Sequence, residues 1–167
     1  LLEGRHAVTH HLGLDVLDAT GVNVVNARVV DDGDLVTAGG VTSGLDLALH
    51  LLQRSYGPRV ALAVGLDLVL LVVSIMGGRV IPAFTNNAVP GAGARRSRWV
   101  EYGALGSVLL LIVLDGVQWG AGAALLCLVA AGLHGARVAL WAPLATRGRP
   151  ILWILHLSYA WIAVHLL

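Results

Sequence analysis

Residues Leu66–Phe84 have the sequence LDLVLLVVSIMGGRVIPAF, and this apolar stretch decides the fold class of the chain. It is about as long as the roughly twenty apolar residues that a helix needs to cross a bilayer. Its end, SIMGGRVIPAFT (Ser74–Thr85), contains two glycines, an arginine and a proline. A guanidinium is always charged and is costly to bury. The stretch therefore predicts a membrane helix, residues 66–84. The two glycines and the proline next to Arg79 favour a buried, positioned charge at this residue, near one end of the helix.

Three further apolar stretches follow, at about residues 100–114, 119–141 and 151–167. The whole chain is 57% hydrophobic and 13% charged, whereas an ordinary globular chain is roughly 25% charged. So much apolar surface must face lipid or a very dry core. We therefore predict an all-α membrane bundle of about four transmembrane helices over residues 65–167. A soluble all-helical core is the alternative.

The arginines between these stretches predict their orientation. Two connections are basic, loop 85–99 with three arginines and loop 142–150 with two, whereas residues 115–118 contain no Arg or Lys. Both basic loops fall on one side of an alternating bundle, and basic loops face the cytoplasm. We therefore predict that loops 85–99 and 142–150 are cytoplasmic and that the protein is a multi-pass protein of the bacterial inner membrane. A net charge of +1 gives no reason to expect a nucleic-acid partner.

Residues 1–64 have a different character, because they are rich in charge and in turn residues. The segment VNVVNARVV (22–30) favours a strand, DDGD (31–34) a turn, and LVTAGG (35–40) a second strand. Thr42 or Ser43 is a candidate N-cap for the following helix, which carries Asp46 in its first turn. Strand, turn, strand and helix in this order predict a partial α/β segment.

This first segment resembles the C-terminal part of the ThiJ/PfpI family, which belongs to the class I glutamine amidotransferase-like superfamily. The residues of the resemblance are LLEGRHAVTHH (1–11) and VNVVNARVVDDGDLVTAGGVTSGLDLALHLL (22–52). The resemblance implies a flavodoxin-like fold, with His10, Thr42 and Asp46 near the family's pocket. The family's nucleophilic Cys lies upstream of the LLEGR segment, in a region that this sequence does not contain. We therefore expect an incomplete catalytic site and do not predict an enzyme.

The second segment, from about Leu66 onward, resembles the NnrS family of multi-pass membrane proteins. The residues of the resemblance are MGGRVIPAFTNNA (76–88), HGARVALW (134–141) and RPILWILHLSYAWI (149–162). The resemblance implies haem, with copper as a further metal, and a link to nitric oxide stress and denitrification.

Two histidines of this segment are candidate haem or metal ligands. At about 1.5 Å per residue, His134 and His156 both lie roughly 9–13 Å in from the predicted cytoplasmic edge. Haem iron is commonly held by His, and ionisable residues inside a membrane are functional candidates. The alternative is that each imidazole bonds a backbone carbonyl or a hydroxyl between helices. His165 is not predicted to be a ligand.

Two arginines are candidate partners for an anionic group of the cofactor, such as a haem propionate. Arg recognises carboxylates through two parallel hydrogen bonds. Arg137 lies one turn from His134 on the same helical face, and Arg79 follows Gly77 and Gly78. Each could instead extend along the helix to the membrane interface.

Three functions remain open at this point. The first is a fragment of an NnrS-like membrane haem protein, preceded by an incomplete ThiJ/PfpI-like segment. The second is a membrane-tethered hydrolase, hydratase or amidase-like regulator of the ThiJ/PfpI type. The third is a non-functional fused or misassembled reading frame. Such a fusion would explain why a segment of a cytosolic type falls on the predicted outer side of the membrane.

Overall fold

The computed structural model describes residues 2–167, which form two compact units, residues up to Leu62 and Ala63–Leu167. The chain is mostly helical, with short strands confined to the first unit.

The first unit contains two small sheets. Strands β1 (His6–Ala7) and β2 (Asn23–Val24) pair in parallel, and β3 (Val29–Asp31) and β4 (Val36–Ala38) pair antiparallel. A short 3-10 helix, His11–Gly13, leads into helix α1 (Leu14–Asp18). The segment 22–30, predicted as one strand, is divided between β2 and β3, which belong to different sheets. The strand predicted after the DDGD turn forms as β4, paired with β3. Two-stranded sheets do not by themselves establish a flavodoxin-like fold, so that assignment stays a prediction.

Helix α2 (Ser43–Tyr56) completes the first unit. Its N-cap residue is Thr42, although the Thr42 side chain makes no capping hydrogen bond. The helix ends at Gly57, whose φ of +90° is a conformation that glycine adopts without a steric penalty. The next residue, Pro58, is where another helix begins, because proline suits the first helical turn.

The second unit is built from four apolar helices. They are α3 (Pro58–Ala88), which begins in the last residues of the first unit, α4 (Arg98–Gly116), α5 (Gly120–Leu140) and α6 (Pro150–His165). Three of them, α3, α4 and α5, are long and apolar enough to cross a membrane, and α6 is a shorter apolar helix. The helical membrane part is therefore confirmed, while the number of spanning helices stays a prediction.

Helix α3 is longer than the apolar stretch that predicts it. Pro82 lies inside α3, and the helix continues past it to Ala88. Proline removes one backbone hydrogen bond but leaves the flanking ones, so a long helix can continue past it.

Small side chains occupy the centre of the second unit. Ala104, Ala130 and Ala131 are almost completely buried, and Ala130 and Ala131 pack with Leu111 and Leu166 in one cluster. Small residues let helices approach closely where lipid offers no hydrophobic driving force between them. This close approach also brings polar side chains of α4, α5 and α6 together.

Candidate functional site

A group of polar side chains is enclosed within the second unit, and we call it the buried ionic cluster. Its members come from four helices and are Ser74, Glu101, His134, Arg137 and Tyr159. Each is at most 9% exposed. Burial removes the hydrogen bonds of a polar group to water and costs free energy, so buried polar groups are usually paired or functional.

Arg137 lies at the centre of the cluster and is 1% exposed. Its Nε and Nη2 atoms donate to the Glu101 carboxylate at 3.2 and 2.7 Å, which is a bidentate ion pair between α5 and α4. Nη2 also donates to the Ser74 carbonyl at 3.1 Å, and Nη1 donates to the Tyr159 hydroxyl. The guanidinium therefore joins all four helices, and its hydrogen bonds are directed to protein groups.

Our sequence analysis did not identify three members of the cluster, namely Ser74, Tyr159 and the charged residue Glu101. Glu101 lies in the first turn of α4, where a carboxylate also suits the helix dipole. Arg96 lies 3.7 Å from its carboxylate, at the exposed edge of the pair. One feature of the sequence could have identified Glu101. It is an acidic residue within an apolar stretch, and inside a membrane such a residue requires a basic partner.

His134 is completely buried, and its two ring nitrogens have different surroundings. Nδ1 lies 2.9 Å from the Tyr159 hydroxyl, whereas Nε2 has no hydrogen-bond partner among residues 2–167. A buried imidazole nitrogen without a partner is unusual, because most buried polar atoms are satisfied. Nε2 thus makes no hydrogen bond to these residues, while Nδ1 contacts the Tyr159 hydroxyl.

His156 has the opposite arrangement. Its Nδ1 lies 2.9 Å from the Leu152 carbonyl oxygen, and its Nε2 lies 3.2 Å from the Trp141 carbonyl oxygen and 3.4 Å from the Thr85 hydroxyl. Both nitrogens face oxygen atoms of the protein, so a metal could bind only after one of these contacts broke. A ligand role for His156 stays a prediction, and the observed contacts correspond to the alternative in which the imidazole links helices.

The two glycines of α3 allow the cluster to form. A Cβ atom at Gly78 would overlap the Nη2 atom of Arg137, and one at Gly77 would lie 2.5 Å from the Tyr159 ring. The backbone of α3 therefore approaches α5 and α6 at a distance that only glycine permits.

Arg79, which follows these glycines, is exposed. We expected a buried, positioned charge at this residue, and this expectation was wrong. The side chain that follows Gly78 along the helix turns away from the face that contacts Arg137, because successive residues of a helix point about 100° apart. Binding of a cofactor by Arg79 or Arg137 stays a prediction.

The three pocket candidates of the first unit have different local contacts. His10 is exposed and accepts a hydrogen bond from the backbone of Leu12 at 3.4 Å, while Asp46 pairs with Arg28 at 2.5 Å. Thr42 caps α2. His10 and Asp46 thus contact neighbouring groups, whereas the Thr42 side chain makes no capping hydrogen bond. A role of the three residues in a pocket stays a prediction.

A cavity of about 500 Å³ lies elsewhere in the second unit. Its lining is mainly aliphatic, and it also includes Asp67, Asp115, Cys127 and His165. No group of three or more His, Cys, Asp or Glu side chains suited to a metal ion occurs within residues 2–167. A copper or zinc ion bound by side chains alone needs such a group, so copper stays a prediction.

Comparison with known proteins gives the family of the chain. The family described as NnrS protein matches residues 22–167, which is most of the sequence. The chain belongs to the NnrS family. It is a helical membrane protein by this match and by the apolar helices α3, α4 and α5. No solved structure matches.

A second similarity concerns an enzyme. The chain is 46% identical over 68 residues to the isonitrile hydratase of Pseudomonas putida, which covers 41% of this chain and 30% of that protein. The chain therefore spans less than a third of that relative. The ThiJ/PfpI-like segment and the NnrS-like segment are thus both supported. The two matched lengths together exceed the chain, so the matches share residues.

Proposed function

We propose that the chain is part of an NnrS-type membrane haem protein of the bacterial inner membrane that acts in the response to nitric oxide and in denitrification. We further propose that His134 supplies a ligand nitrogen. The observation that supports this role is the completely buried imidazole with an unpartnered Nε2.

The chemistry of the cluster suits haem better than a free metal ion. The macrocycle provides the equatorial ligands of its iron, so one imidazole from the protein is enough to hold it, and a bound haem supplies a redox-active iron that binds small gases. A free ion would require several protein ligands close together. No group of three or more His, Cys, Asp or Glu side chains suited to this occurs among the described residues.

The surroundings of His134 also match what a ligand histidine requires. Its other ring nitrogen contacts the Tyr159 hydroxyl, and such a contact orients the ring and selects its tautomer. The Tyr159 ring packs against Trp141, with ring centres 4.7 Å apart, so the hydroxyl is itself held in place. The apolar side chains around these groups keep water from the site.

Absorbance spectra of membranes that contain the full chain test the ligand assignment. We expect a Soret band in the unaltered chain, its loss or displacement in His134→Ala, and recovery when imidazole is added to that variant. His156→Ala is the matched comparison and should keep the band, because both nitrogens of His156 already face protein oxygens.

A third variant, His165→Ala, tests the competing ligand, because His165 lines the 500 Å³ cavity. Loss of the band in His165→Ala with an unchanged spectrum in His134→Ala would transfer the ligand role to His165. Absence of the band in the unaltered chain, under conditions in which the chain accumulates in membranes, would contradict haem binding.

The similarity to isonitrile hydratase supports a second candidate, a membrane-tethered domain of the ThiJ/PfpI type. Its test is hydration of an isonitrile by the purified chain, with His10→Ala and Asp46→Asn as the variants that should lose activity. No turnover would contradict this candidate and leave a fused reading frame as an explanation of the similarity. A sequencing read across codons 60–68 of the genomic DNA would test the fused frame.

A further inference from the structure

We propose that a groove between α3 and α6 binds one phospholipid of the bilayer. The headgroup of this lipid ends in a primary ammonium, and one of its acyl chains lies along the groove. The proposal does not rest on the proposed function, because His134 lines neither of the two cavities that form the groove.

The groove consists of two adjoining cavities. The larger has a volume of about 500 Å³ and the smaller a volume of about 330 Å³, and both are lined by Val73 and Ser158. Along α3 the two cavities extend from Ala63 to Ile81, a length of roughly 27 Å at about 1.5 Å per residue. Most of the other side chains in the smaller cavity are aliphatic or thioether groups, namely Val72, Met76, Val80, Ile81 and Leu155. The shape and the lining therefore suit an extended hydrocarbon chain.

The groove is accessible from the side of the bundle. Leu66 and Val69 of α3 and Trp161 of α6 line it and are 56%, 62% and 68% exposed. Exposed apolar side chains on a membrane-spanning helix face the hydrocarbon of the bilayer. A lipid can therefore enter sideways from the bilayer, whereas a molecule dissolved in water has no such route through the hydrocarbon.

Two carboxyl groups lie at one end of the groove. Asp67 and Asp115 both line the larger cavity and are close enough to repel each other. Asp115 lies in the last turn of α4, so this end of the groove lies near the membrane surface when α4 spans the bilayer. The Oδ2 atom of Asp67 is enclosed and makes no hydrogen bond to any group within residues 2–167.

These carboxyl groups need a positive partner, and the cavity does not supply one. No Arg or Lys lines the larger cavity in the described part of the chain. An enclosed carboxylate without a partner is costly. The charge of the lining is therefore complementary to a cationic group on the occupant.

A primary ammonium fits this end of the groove best. It has three N–H donors and no acceptor, so it can donate to Asp67 and Asp115 at the same time. A quaternary ammonium has no N–H group, and a glycerol headgroup has no positive charge. The phosphate of an ethanolamine lipid lies two carbons from its ammonium, and His165, which lines the same cavity, has a ring N–H that can donate to a phosphate oxygen.

The distance along α3 also suits a lipid. Met76, in the smaller cavity, lies about 14 Å farther along the helix than Asp67. One leaflet is about half of the roughly 30 Å hydrocarbon core. A lipid whose ammonium contacts Asp67 therefore places its acyl chain in the smaller cavity.

Native mass spectrometry of the full chain, released from detergent micelles, tests the headgroup. The probes are phosphatidylethanolamine, phosphatidylcholine and phosphatidylglycerol with identical acyl chains. We expect the ethanolamine lipid to be retained about tenfold more strongly than either of the others, the effect of one hydrogen bond to a charged group. The double variant Asp67→Asn/Asp115→Asn should reduce its retention to that of phosphatidylcholine. Asp15→Asn, which alters an exposed carboxyl group of the first unit, should leave the retention unchanged.

A second variant tests the groove itself. Val73→Trp fills the junction of the two cavities and should weaken the retention of all three lipids. Val129→Trp is the matched control, because Val129 is exposed on α5 and lines neither cavity. If the double carboxyl variant does not accumulate, the comparison of the three lipids on the unaltered chain still decides the headgroup preference.

Equal retention of the three lipids would overturn the recognition of an ammonium, and unchanged retention in Val73→Trp would overturn the location. A dimer in the same spectra that disappears in Val73→Trp would assign the groove to a second copy of the chain instead. A haem held by His165 would occupy the larger cavity and would also overturn the proposal.

Discussion

Gly78 has only a hydrogen atom as its side chain, and the packing around this residue requires that small size. The residue is buried, and its α-carbon lies against the guanidinium of Arg137. Any larger residue would displace the guanidinium from the carboxylate of Glu101. The glycine therefore determines whether the ion pair and the α3 backbone can occupy the same level of the bundle.

The first prediction is that Gly78→Ala destabilises the protein by about 1–3 kcal/mol, the usual cost of overpacking a closely packed interior. Thermal unfolding of the detergent-solubilised chain is the measurement. Gly106→Ala, in α4, is the control, because a Cβ there meets no atom within 4 Å and alanine is the better helix former. A Gly78→Ala variant as stable as Gly106→Ala would contradict the close approach of α3 to Arg137.

At the scale of elements, the turn between α4 and α5 is closed by a Schellman motif. The N–H of Gln118 donates to the Asp115 carbonyl at 3.2 Å, and the N–H of Trp119 donates to the Leu114 carbonyl at 3.0 Å. Gln118 has a φ of +59°, a left-handed conformation in which glycine is the preferred residue. The turn therefore forms with a strained residue at its critical position.

The second prediction is that Gln118→Gly stabilises the protein by about 0.5–1 kcal/mol, because glycine relieves the left-handed strain. Ala136→Gly should have the opposite effect and cost about 1 kcal/mol, since Ala136 is an exposed residue within α5. Thermal unfolding of the two variants under identical conditions measures both. A loss of stability in Gln118→Gly would show that the turn is not left-handed at this residue.

The hairpin of β3 and β4 is a second element of interest, because several of its carboxyl groups have lowered pKa values. Arg5 holds the pKa of Asp32 and of Asp34 below the ordinary value, chiefly through hydrogen bonds from its guanidinium. A hydrogen bond from His50 lowers the pKa of Asp31. These carboxylates are therefore better stabilised when ionised in the folded first unit than in the unfolded chain.

The third prediction concerns the pH dependence of this hairpin. Because the folded pKa of each carboxyl is lowered, its contribution is complete above the unfolded pKa of about 4 and is lost as the pH falls through the folded pKa. Hydrogen-exchange protection factors for residues 28–38 should therefore decrease below about pH 4. Asp32→Asn should flatten this dependence, and Asp15→Asn, an exposed residue outside the hairpin, should leave it unchanged.

At the scale of the whole molecule, the distribution of arginines and the order of the helices together specify an orientation. The basic segments 85–99 and 142–150 contain the connections from α3 to α4 and from α5 to α6. These connections lie on the same side if α3, α4 and α5 each cross the bilayer once. Basic connections stay in the cytoplasm during membrane insertion.

The fourth prediction is therefore a labelling pattern. In a Cys127→Ala background, Ser97→Cys and Gly148→Cys should react with a membrane-impermeant thiol reagent only after cells are opened. Gln118→Cys, in the turn between α4 and α5, should react in intact cells whose outer membrane is permeabilised. The reverse pattern would place the basic loops outside and contradict the proposed topology.

The similarity matches also bear on the whole chain. The NnrS match begins at residue 22, inside the first compact unit, and not at the change in composition near residue 65. Composition changes where the chain passes from polar to apolar surroundings, and such a change need not coincide with the limit of a family. The assigned boundary between residues 64 and 65 therefore stays a prediction.

The sequence by itself determined the local and the apolar features of this protein. The valine-rich segments around DDGD predict the hairpin, and the long apolar stretches predict the membrane helices, because both follow from short-range preferences and from the solubility of side chains. The segment HGARVALW likewise indicated that His134 and Arg137 share one helical face.

Only the tertiary structure decided which side chains meet. The ion pair of Glu101 with Arg137, the Tyr159 hydroxyl beside His134, and the enclosure of Arg137 but not Arg79 all depend on how each helix is rotated against its neighbours. That rotation is set by close packing at residues such as Gly77, Gly78 and Ala130, which are separated in sequence from the groups they bring together. Two histidines at similar depth thus acquire different surroundings, because the depth of a residue follows from its position along a helix, whereas its partners follow from the packing of several helices.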